Sequence, residues 1–319
     1  PALVVQPTGA ADIGNAVTFA RENRLLLAVK CGGHSASGAS SCDGGMQIDL
    51  SNLRGVRVDP VARTARVEGG SLLGELDHES MAYGLVTTAG TVSHIGVGGL
   101  TLGGGFGRLG RRFGLTLDNA LEYDVVTADG TLRHASQDEN PDLYWGLRGG
   151  GGNYGVVTSF LFRLHPMQRQ VGFGRFVFPF SEARQVMNFF AEYADSAPDE
   201  LQVDGGIGGG PGQDPGVMIT VVWSGDPGRT EEIFGPIRKA GTVVSETVRP
   251  MDYVALQRSG DYDDPRAFSG YMKSGFTGTI PPKLVDDLVD NFEHRTNRAT
   301  RVVFQQSGGA IGRVAADAT

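Results

Sequence analysis

The residues best suited to chemistry lie where an apolar run, Leu25 to Val29, breaks into Lys30-Cys31-Gly32-Gly33-His34-Ser35 and continues in small residues to Gly38. Glycines after a strand remove the side chains that would block a ligand, so consecutive backbone N–H groups can converge on an anion such as phosphate. His34 stands one step past that cradle, within reach of whatever the phosphates carry. Taken alone, the same residues also fit a tight turn whose histidine caps its own backbone. A second cluster shifts the balance: Gly90 to Gly107 holds eight glycines in 18 residues, interleaved with Ile95, Val97, Leu100, Leu102 and Phe106. That mixture describes a packed loop against which a flat apolar ring can lie, not a tether. A third cluster, Gly149 to Gly155, precedes a long β-branched run. Three such turns, each beside a strand, suit one elongated cofactor. Gly105-Phe-Gly-Arg-Leu-Gly110 also satisfies the dinucleotide fingerprint, but glycines rather than a strand precede it, so a nicotinamide dehydrogenase is kept only as the alternative.

Composition narrows the classes. The 319 residues carry a net charge of −8, with 40% hydrophobic and 20% charged residues. This is a globular composition with room for two domains and no basic field for nucleic acid or an anionic membrane. No apolar stretch approaches a membrane span. Pro1 is not a native translation start, and whether a leader was removed is not readable. Cys31 and Cys42 are the only cysteines; they exclude a disulfide framework and a cysteine zinc site, and two reduced thiols are the preferred reading. Compartment stays open, with cytoplasm favoured. His34, His78, His94, His134, His165 and His294 lack ligand spacing, so no metal is expected, and no Gly-x-Ser-x-Gly elbow exists. Asp261, Asp263, Asp264, Asp286 and Asp287 are expected on solvated faces.

The elements that must hold these turns are set by periodicity. Ala2–Gln6, a helix over Ala10–Glu22 with Ile13, Ala16, Val17 and Ala20 on one face, and Leu25–Val29 form a βαβ opening. Strand Met46–Leu50 and a hairpin about Asp59-Pro60 come next. Ser71 is the expected cap of a helix from Leu72 to Tyr83, closed by Gly84. A hairpin about Ala128–Gly130, a helix over Asp142–Arg148 and a strand Val156–Leu164 complete the first half. Beyond Met167 the glycine clusters cease and alternation predicts a sheet. Its expected parts are a strand from Val171, a helix capped by Ser181, strands Leu201–Gly206 and Val217–Trp223, helices Glu231–Lys239 and Pro282–Phe292 (Leu284, Leu288 and Phe292 inward), and strands Gly270–Phe276 and Arg301–Gln306.

From Ala2 to Pro166 the chain resembles the FAD-linked oxidases of the p-cresol methylhydroxylase and vanillyl-alcohol oxidase superfamily, most closely the berberine-bridge-enzyme-like branch. The matching residues are Lys30-Cys-Gly-Gly-His34-Ser, Cys42-Asp-Gly-Gly-Met-Gln-Ile-Asp49, Gly90-Thr-Val-Ser-His-Ile-Gly-Val-Gly-Gly99, Leu102-Gly-Gly-Gly-Phe-Gly107, Asp118-Asn119 and Trp145 to Val157. The resemblance implies an α+β, two-domain fold: an FAD-binding domain over residues 1–168 and a substrate domain over 169–319, with an antiparallel sheet backed by helices and incomplete at its C-terminus. It implies that Gly32, Gly33 and Ser35, with Lys30, Cys31 and Gly38 about them, hold the pyrophosphate of FAD. The loop bearing Gly90, Thr91, Val92, Ile95, Gly96, Gly98, Gly99, Gly104, Gly105 and Gly107 would run along pyrophosphate and ring, with Asn119, Gly155 and Val156 completing the site. His34 matches the histidine that this family joins to the flavin 8-methyl carbon. Val92 stands where some members place a second, cysteinyl linkage, so a single bond is implied.

Ile95 matches the residue lining the oxygen pocket, which leaves oxidase and dehydrogenase both open. His94 departs from the smaller polar residue common there, and either lines the flavin edge or stands solvated. Inward residues of the second sheet would shape the substrate pocket: Tyr271, Lys273, Phe276, Gln306 and Trp223 are the candidates, with Lys273, Tyr271 and Gln306 assigned to catalysis and Lys273 placed to stabilise an alkoxide or a reduced flavin. The chain stops at Ala316-Asp-Ala-Thr319 without the family's returning segment, so either it is a fragment or the usual base is absent. The implied reaction is hydride transfer from a C–H beside a hydroxyl or amine of a small molecule to flavin, with oxygen or another acceptor following. A flavin-binding module without turnover is the further alternative. Substrate identity and oligomeric state are not encoded legibly.

Overall fold

The computed structural model describes residues 1–209, 214–261 and 270–318, and the chain forms two compact units. The first comprises Pro1–Arg169, Tyr253–Asp261 and Ala310–Thr319; the second comprises Gln170–Asp252 and Tyr262–Gly309.

Unit 1 opens with β1 (Leu3–Val5), α1 (Ala10–Glu22), β2 (Leu27–Lys30) and β3 (Met46–Asp49). The strands pair in parallel in the order β1-β3-β2. Helix α1 buries Ile13, Ala16, Val17 and Ala20, the stripe its spacing dictates, among Met46, Ile48, Val126 and Val156. A five-stranded antiparallel sheet comes next, built from β4 (Val56–Asp59), β5 (Thr64–Glu68), β7 (Ala120–Val126), β8 (Leu132–Ser136) and β9 (Val156–Arg163) in the order β4-β5-β9-β7-β8. Between them lie α2 (Leu73–Met81), the short β6 (Leu85–Val86), α3 (Val97–Leu102), α4 (Gly110–Phe113) and α5 (Pro141–Leu147); β10 (His165–Pro166) pairs with β6. Tyr123, Phe160 and Phe162 form an aromatic centre, with ring centroids 5.5 and 5.6 Å apart along the series.

Unit 2 is a five-stranded antiparallel sheet in the order β14-β11-β13-β12-β15. In chain order its parts are β11 (Gln170–Pro179), α6 (Ala183–Asp195), β12 (Leu201–Gly208), β13 (Gly216–Trp223), α7 (Thr230–Phe234) and β14 (Ser245–Asp252), then, after α8 (Tyr253–Arg258) of unit 1, α9 (Pro282–Glu293) and β15 (Val302–Gln305). Phe176, Phe178, Ile207, Ile219 and Val221 face α6 and α9, which supply Val186, Phe190, Val285, Val289 and Phe292 to the core.

Several expectations need correction. Ser71 does not cap α2. Its hydroxyl is buried in an exchange with the backbone of Gly55, while Glu75 accepts from Leu72 N–H at 2.8 Å and closes the first turn from within. Ser181 lies in a 3₁₀ turn ahead of α6, and Glu182 beside it accepts from Thr242 N–H instead of capping the helix. The helix expected over 231–239 breaks after Phe234, where Pro236 removes a donor, and resumes as a 3₁₀ turn. The buried stripe of α9 is Val285, Val289 and Phe292, which leaves Leu284 and Leu288 only half-buried.

No strand forms over Gly270–Phe276; Tyr271 is 85% and Phe276 91% exposed. The strand beside β11 is β14, whose polar residues suit a sheet edge and whose Pro250 is tolerated there. A single boundary after residue 168 does not describe the contacts either, because 253–261 and 310–319 pack with unit 1: Ala310 N–H donates to Arg111 O at 2.7 Å and Trp145 Nε1 to Asp317 O at 3.3 Å. Asp286 and Asp287 do lie on the surface, paired with Arg184 and Lys283, while Asp263 and Asp264 fall outside the described residues.

Truncating Phe160, fully buried between Tyr123 and Phe162, should cost unit 1 about 3–5 kcal/mol, measured as a lowered urea midpoint for Phe160→Ala.

Candidate functional site

The loop after β2 is fixed first by charge. Lys30 and Asp49 are directly opposite in the β2–β3 register and their side chains meet at 2.9 Å. Burial pulls the Asp49 carboxyl upward, but the hydrogen bonds from Lys30 and Ser51 outweigh it and hold the group below its ordinary range. Lys30 therefore locks two strands together.

Backbone packing does the rest. A Cβ on Gly32 would stand 2.9 Å from Gly96 Cα, and one on Gly96 would stand 2.9 Å from Cys31 Cβ. Only glycines admit this interlock of the first and second clusters. Cys31 donates to Ser71 O at 3.5 Å, and burial pushes its thiol up, so it packs as a neutral wedge. Gly98 approaches Gly69 O in the same way, and Gly104, Gly105 and Gly107 are buried against Leu117, Thr116 and Ala89. A ligand has access elsewhere. Gly33 has φ +74° with only the Lys30 side chain near, Gly38 and Gly99 have nothing within 4 Å of an added Cβ, and Gly151 and Gly152 of the third cluster are equally open. Helix α3 packs against the 3₁₀ turn Gly151–Tyr154, so all three glycine clusters meet in unit 1. Gly155, at φ +140°, lies tight against Val126, while Val156 is buried in the core beside it. Ser35 is exposed, its hydroxyl accepting from Ala39 N–H at 3.1 Å. Bare backbone around open space, with no side chain to displace, fits the FAD that the sequence implies.

At the mouth of this cradle His34 Nε2 and His94 Nδ1 are 2.7 Å apart, with ring centroids 4.7 Å apart. Burial, and then His94, hold the His34 imidazole below its usual range, so it is neutral at physiological pH. The loop carrying His94 is suspended from the segment around α8. Gln257 donates to Gly90 O at 2.8 Å and to Asp77 at 3.3 Å, and accepts from Arg108 at 2.6 Å; Arg108 also reaches Thr91 O at 3.1 Å. Asp261, expected on a solvated face, accepts from Ser93 N–H at 2.8 Å and from its hydroxyl at 2.6 Å. Val92 is half-buried beside Gly260, and Ile95 packs on the unit 1 core. Complete burial pushes Asp77 up to about 7 against the opposing pulls of Gln257 and Arg108. Of these partners only Arg108, within the Gly105–Gly110 run, falls inside a sequence motif.

Other assignments are corrected. Asn119 is buried, donating to Phe113 O and Leu115 O at 2.9 Å and meeting His165 at 2.6 Å, so its amide braces the fold. The fingerprint at Gly105–Gly110 comes after helix α3 and a glycine turn, not a strand, and enters only the single turn α4, which removes the structural basis of a nicotinamide site. Lys273 lies exposed 6.0 Å from the Tyr271 ring, Gln306 donates to Ala194 O, and Trp223 is in the unit 2 core with Nε1 on Asp226 O at 2.6 Å. Among the described residues these candidates lie apart, Tyr271 and Lys273 on the surface and Trp223 in the core. Unit 2 instead has a cavity of about 570 Å³ on its helix-free sheet face, floored by Gly206 and Gly208 and walled by Arg175, Asp204, Met218 and Thr220. Among the described residues no three His, Cys, Asp or Glu side chains form a metal site, and no helix is long and apolar enough to cross a membrane.

Gly96→Ala should destabilise unit 1 by about 1–3 kcal/mol, because Cys31 and Gly32 have nowhere to move, whereas Gly99→Ala should not; thermal unfolding of the two variants provides the comparison. Asp77 binds its proton more tightly folded than unfolded, so its contribution is full below the ordinary 3.8 and lost as pH rises through about 7. Wild-type stability should therefore fall across that window by up to a few kcal/mol relative to Asp77→Asn, in urea titrations at several pH values.

The FAD binding domain family matches residues 1–136. An FAD-linked oxidoreductase of Dictyostelium discoideum is 32% identical over 314 residues, covering 98% of this chain and 68% of that protein. The (R)-6-hydroxynicotine oxidase of Paenarthrobacter nicotinovorans is 31% identical over 83% of this chain and 59% of its own length. Among solved structures, the xylooligosaccharide oxidase of Myceliophthora thermophila C1 superposes with a TM-score of 0.84 at 25% identity, over 99% of this chain and 70% of that one. With the glycine cradle and its histidine in place, these similarities establish that the chain belongs to the FAD-linked oxidoreductases of the p-cresol methylhydroxylase and vanillyl-alcohol oxidase superfamily.

Proposed function

We propose that this FAD-linked oxidoreductase holds its flavin covalently through His34, with unit 1 as the cofactor domain and unit 2 as the substrate domain, and oxidises a C–H bond beside a hydroxyl or amine of a small molecule. The observation that carries the reading is a neutral imidazole at the rim of an open cradle of glycine backbone. Gly32, Gly33 and Ser35 would present N–H groups to the pyrophosphate. The Gly32–Gly96 interlock fixes the distance between the first and second glycine loops and so the position of His34, which would hold the flavin there. Its neutral state supplies the lone pair that such a bond needs. Val92 offers no second nucleophile.

The bound flavin supplies hydride acceptance and electron delivery to oxygen or another acceptor; the residues bind, orient and exclude water. For the substrate, the open face of unit 2 supports the reading better than the exposed Tyr271 and Lys273. Arg175, Asp204 and Thr220 offer donors and acceptors to hydroxyl or amine groups over a floor bare at Gly206 and Gly208, beside the apolar Met218. Relatives named for hydroxynicotine and for xylooligosaccharides span the amine and alcohol classes.

Acid precipitation of the purified protein should leave the yellow colour in the pellet, and His34→Ala should release it to the supernatant. Without oxygen, a panel of alcohols, sugars and amines should include at least one compound that bleaches the visible flavin band, and Asp204→Ala should raise the concentration needed by tenfold or more, about 1.4 kcal/mol. Colour released equally from both proteins would refute the linkage; a flavin that no compound bleaches would refute the turnover.

A further inference from the structure

A carboxyl, an amide and a phenol are buried where α2 packs against α8: Asp77 and Gln257 are each 1% exposed and Tyr253 not at all. Gln257 uses both amide protons there, one on Gly90 O at 2.8 Å and one on Asp77 Oδ2 at 3.3 Å, while its Oε1 accepts from Arg108 Nη1 at 2.6 Å. The same Nη1 reaches Thr91 O at 3.1 Å. Two consecutive carbonyls of the second glycine loop therefore hang from one amide and one guanidinium, and both groups act on Asp77. The Tyr253 hydroxyl, buried in the same packing, has no hydrogen-bond partner among the described residues.

A neutral Asp77 suits this arrangement, because one amide donor serves its Oδ2 and Arg108 stays on Thr91. An ionised Asp77 does not. A carboxylate with almost no exposed surface needs further donors, and two are at hand: the Tyr253 hydroxyl, which holds no other bond, and the Arg108 guanidinium, which is engaged on the loop. We propose that Asp77 is a proton-operated latch on the second glycine loop. While it carries its proton, Gln257 and Arg108 hold the carbonyls of Gly90 and Thr91; when the proton leaves to solvent, Arg108 turns to the carboxylate, Tyr253 donates to it, and the loop is released from Gly90 to Val92.

The surroundings leave Asp77 as the group that responds. On α2 itself His78 and Glu79 are exposed and Glu75 is paired with Arg54. Of the elements packed against α2, β4 places Arg57 and Asp59 on the surface, β6 brings only Leu85 and Val86, and α8 brings Gln257 and Tyr253 with Arg258 exposed. Burial raises Asp77 to about 7, so the change falls near neutrality. Past Val92 the loop has separate anchors, Asp261 on Ser93 and the Gly32 contact at Gly96, which confine the release to its first residues. The latch depends on neither the linkage at His34 nor the identity of the substrate.

The test is amide hydrogen exchange of the purified full chain with its flavin, from about pH 5.5 to about 8.5, each rate corrected for the intrinsic pH dependence of exchange. Wild type should lose about tenfold of its protection over residues 91–95, where Ile95 N–H is held by Val92 O at 3.3 Å, as pH passes about 7, while strand β9 keeps its own. Asp77→Asn keeps a neutral acceptor for Gln257 and should hold the acid-side protection throughout; His34 and His94 remain in that variant, so any effect of theirs is separated. Tyr253→Phe removes the donor that awaits the carboxylate. It should match wild type at the acid side and lose protection at a pH higher by about half a unit or more. Should Asp77→Asn not fold, the shift in Tyr253→Phe decides the matter. Protection over 91–95 that is constant with pH in wild type, that falls equally in Asp77→Asn, or that is lost by Tyr253→Phe at the wild-type pH would overturn the proposal.

Discussion

The site depends on one contact, the passage of the Gly32 backbone against that of Gly96. It brings together two loops separated by four strands and a helix, at a spacing that no side chain permits. Everything chemical in unit 1 is referred to it. Cys31 fills the space beside it, His34 and His94 are carried to hydrogen-bonding distance just beyond it, and α3, which begins at the next residue, carries the second cluster to the third. Glycine elsewhere in the same loops acts in the opposite sense, because at Gly33, Gly38 and Gly99 the missing side chain leaves space rather than contact. A run of glycines in one motif thus contains two populations, those that bind the protein to itself and those that leave room for a guest.

The second constraint is the solvation of buried polar groups. The loop from Gly90 to Ile95 cannot form a regular ladder, so its carbonyls and N–H groups need partners. Gln257, Arg108 and Asp261 provide them, and two of the three come from the segment at Tyr253–Asp261, which comes after most of unit 2 in the chain and packs with unit 1. Asp77 is the costly member of this arrangement. A carboxyl with no exposed surface and one amide donor to satisfy it retains its proton to about neutral pH. The second glycine loop is therefore braced by a network of which only Arg108, inside the Gly105–Gly110 run, belongs to a recognisable motif.

In unit 2 the same sheet serves two purposes through the alternation of its strands. Odd-numbered positions of β12 and β13, such as Val203, Ile207, Ile219 and Val221, pack against α6 and α9. Even-numbered ones, among them Asp204, Gly206, Met218 and Thr220, line the open cavity. The alternation was visible in the sequence, but which side would be covered by helices was not. Trp223 illustrates this: a large aromatic near a strand end looked fit for a binding pocket, yet its parity places it in the core.

The amino-acid sequence by itself determined the elements with strong local signals. The four-residue stripe of α1, the hairpin of β7 and β8 and the apolar run of β9 formed where periodicity and turn residues put them, because each is specified by neighbours in the chain. It determined the cradle as well, since bare backbone beside a histidine is a property of composition at one place. Tertiary structure alone decided that Ser71 turns to Gly55 and Glu182 to Thr242 instead of capping α2 and α6, and it decided the polar edge strand β14 and the exposure of Tyr271 and Lys273, all of which depend on neighbours in space rather than on neighbours along the chain. It also decided the partners of the site: His94 meets His34 across 60 residues, Asp261 meets Ser93 across 168, and Gln257 meets Asp77 across 180. Hydrogen bonds over such separations exist only once the burial of apolar surface has paired the strands that carry them, and no pattern within a single segment encodes that pairing.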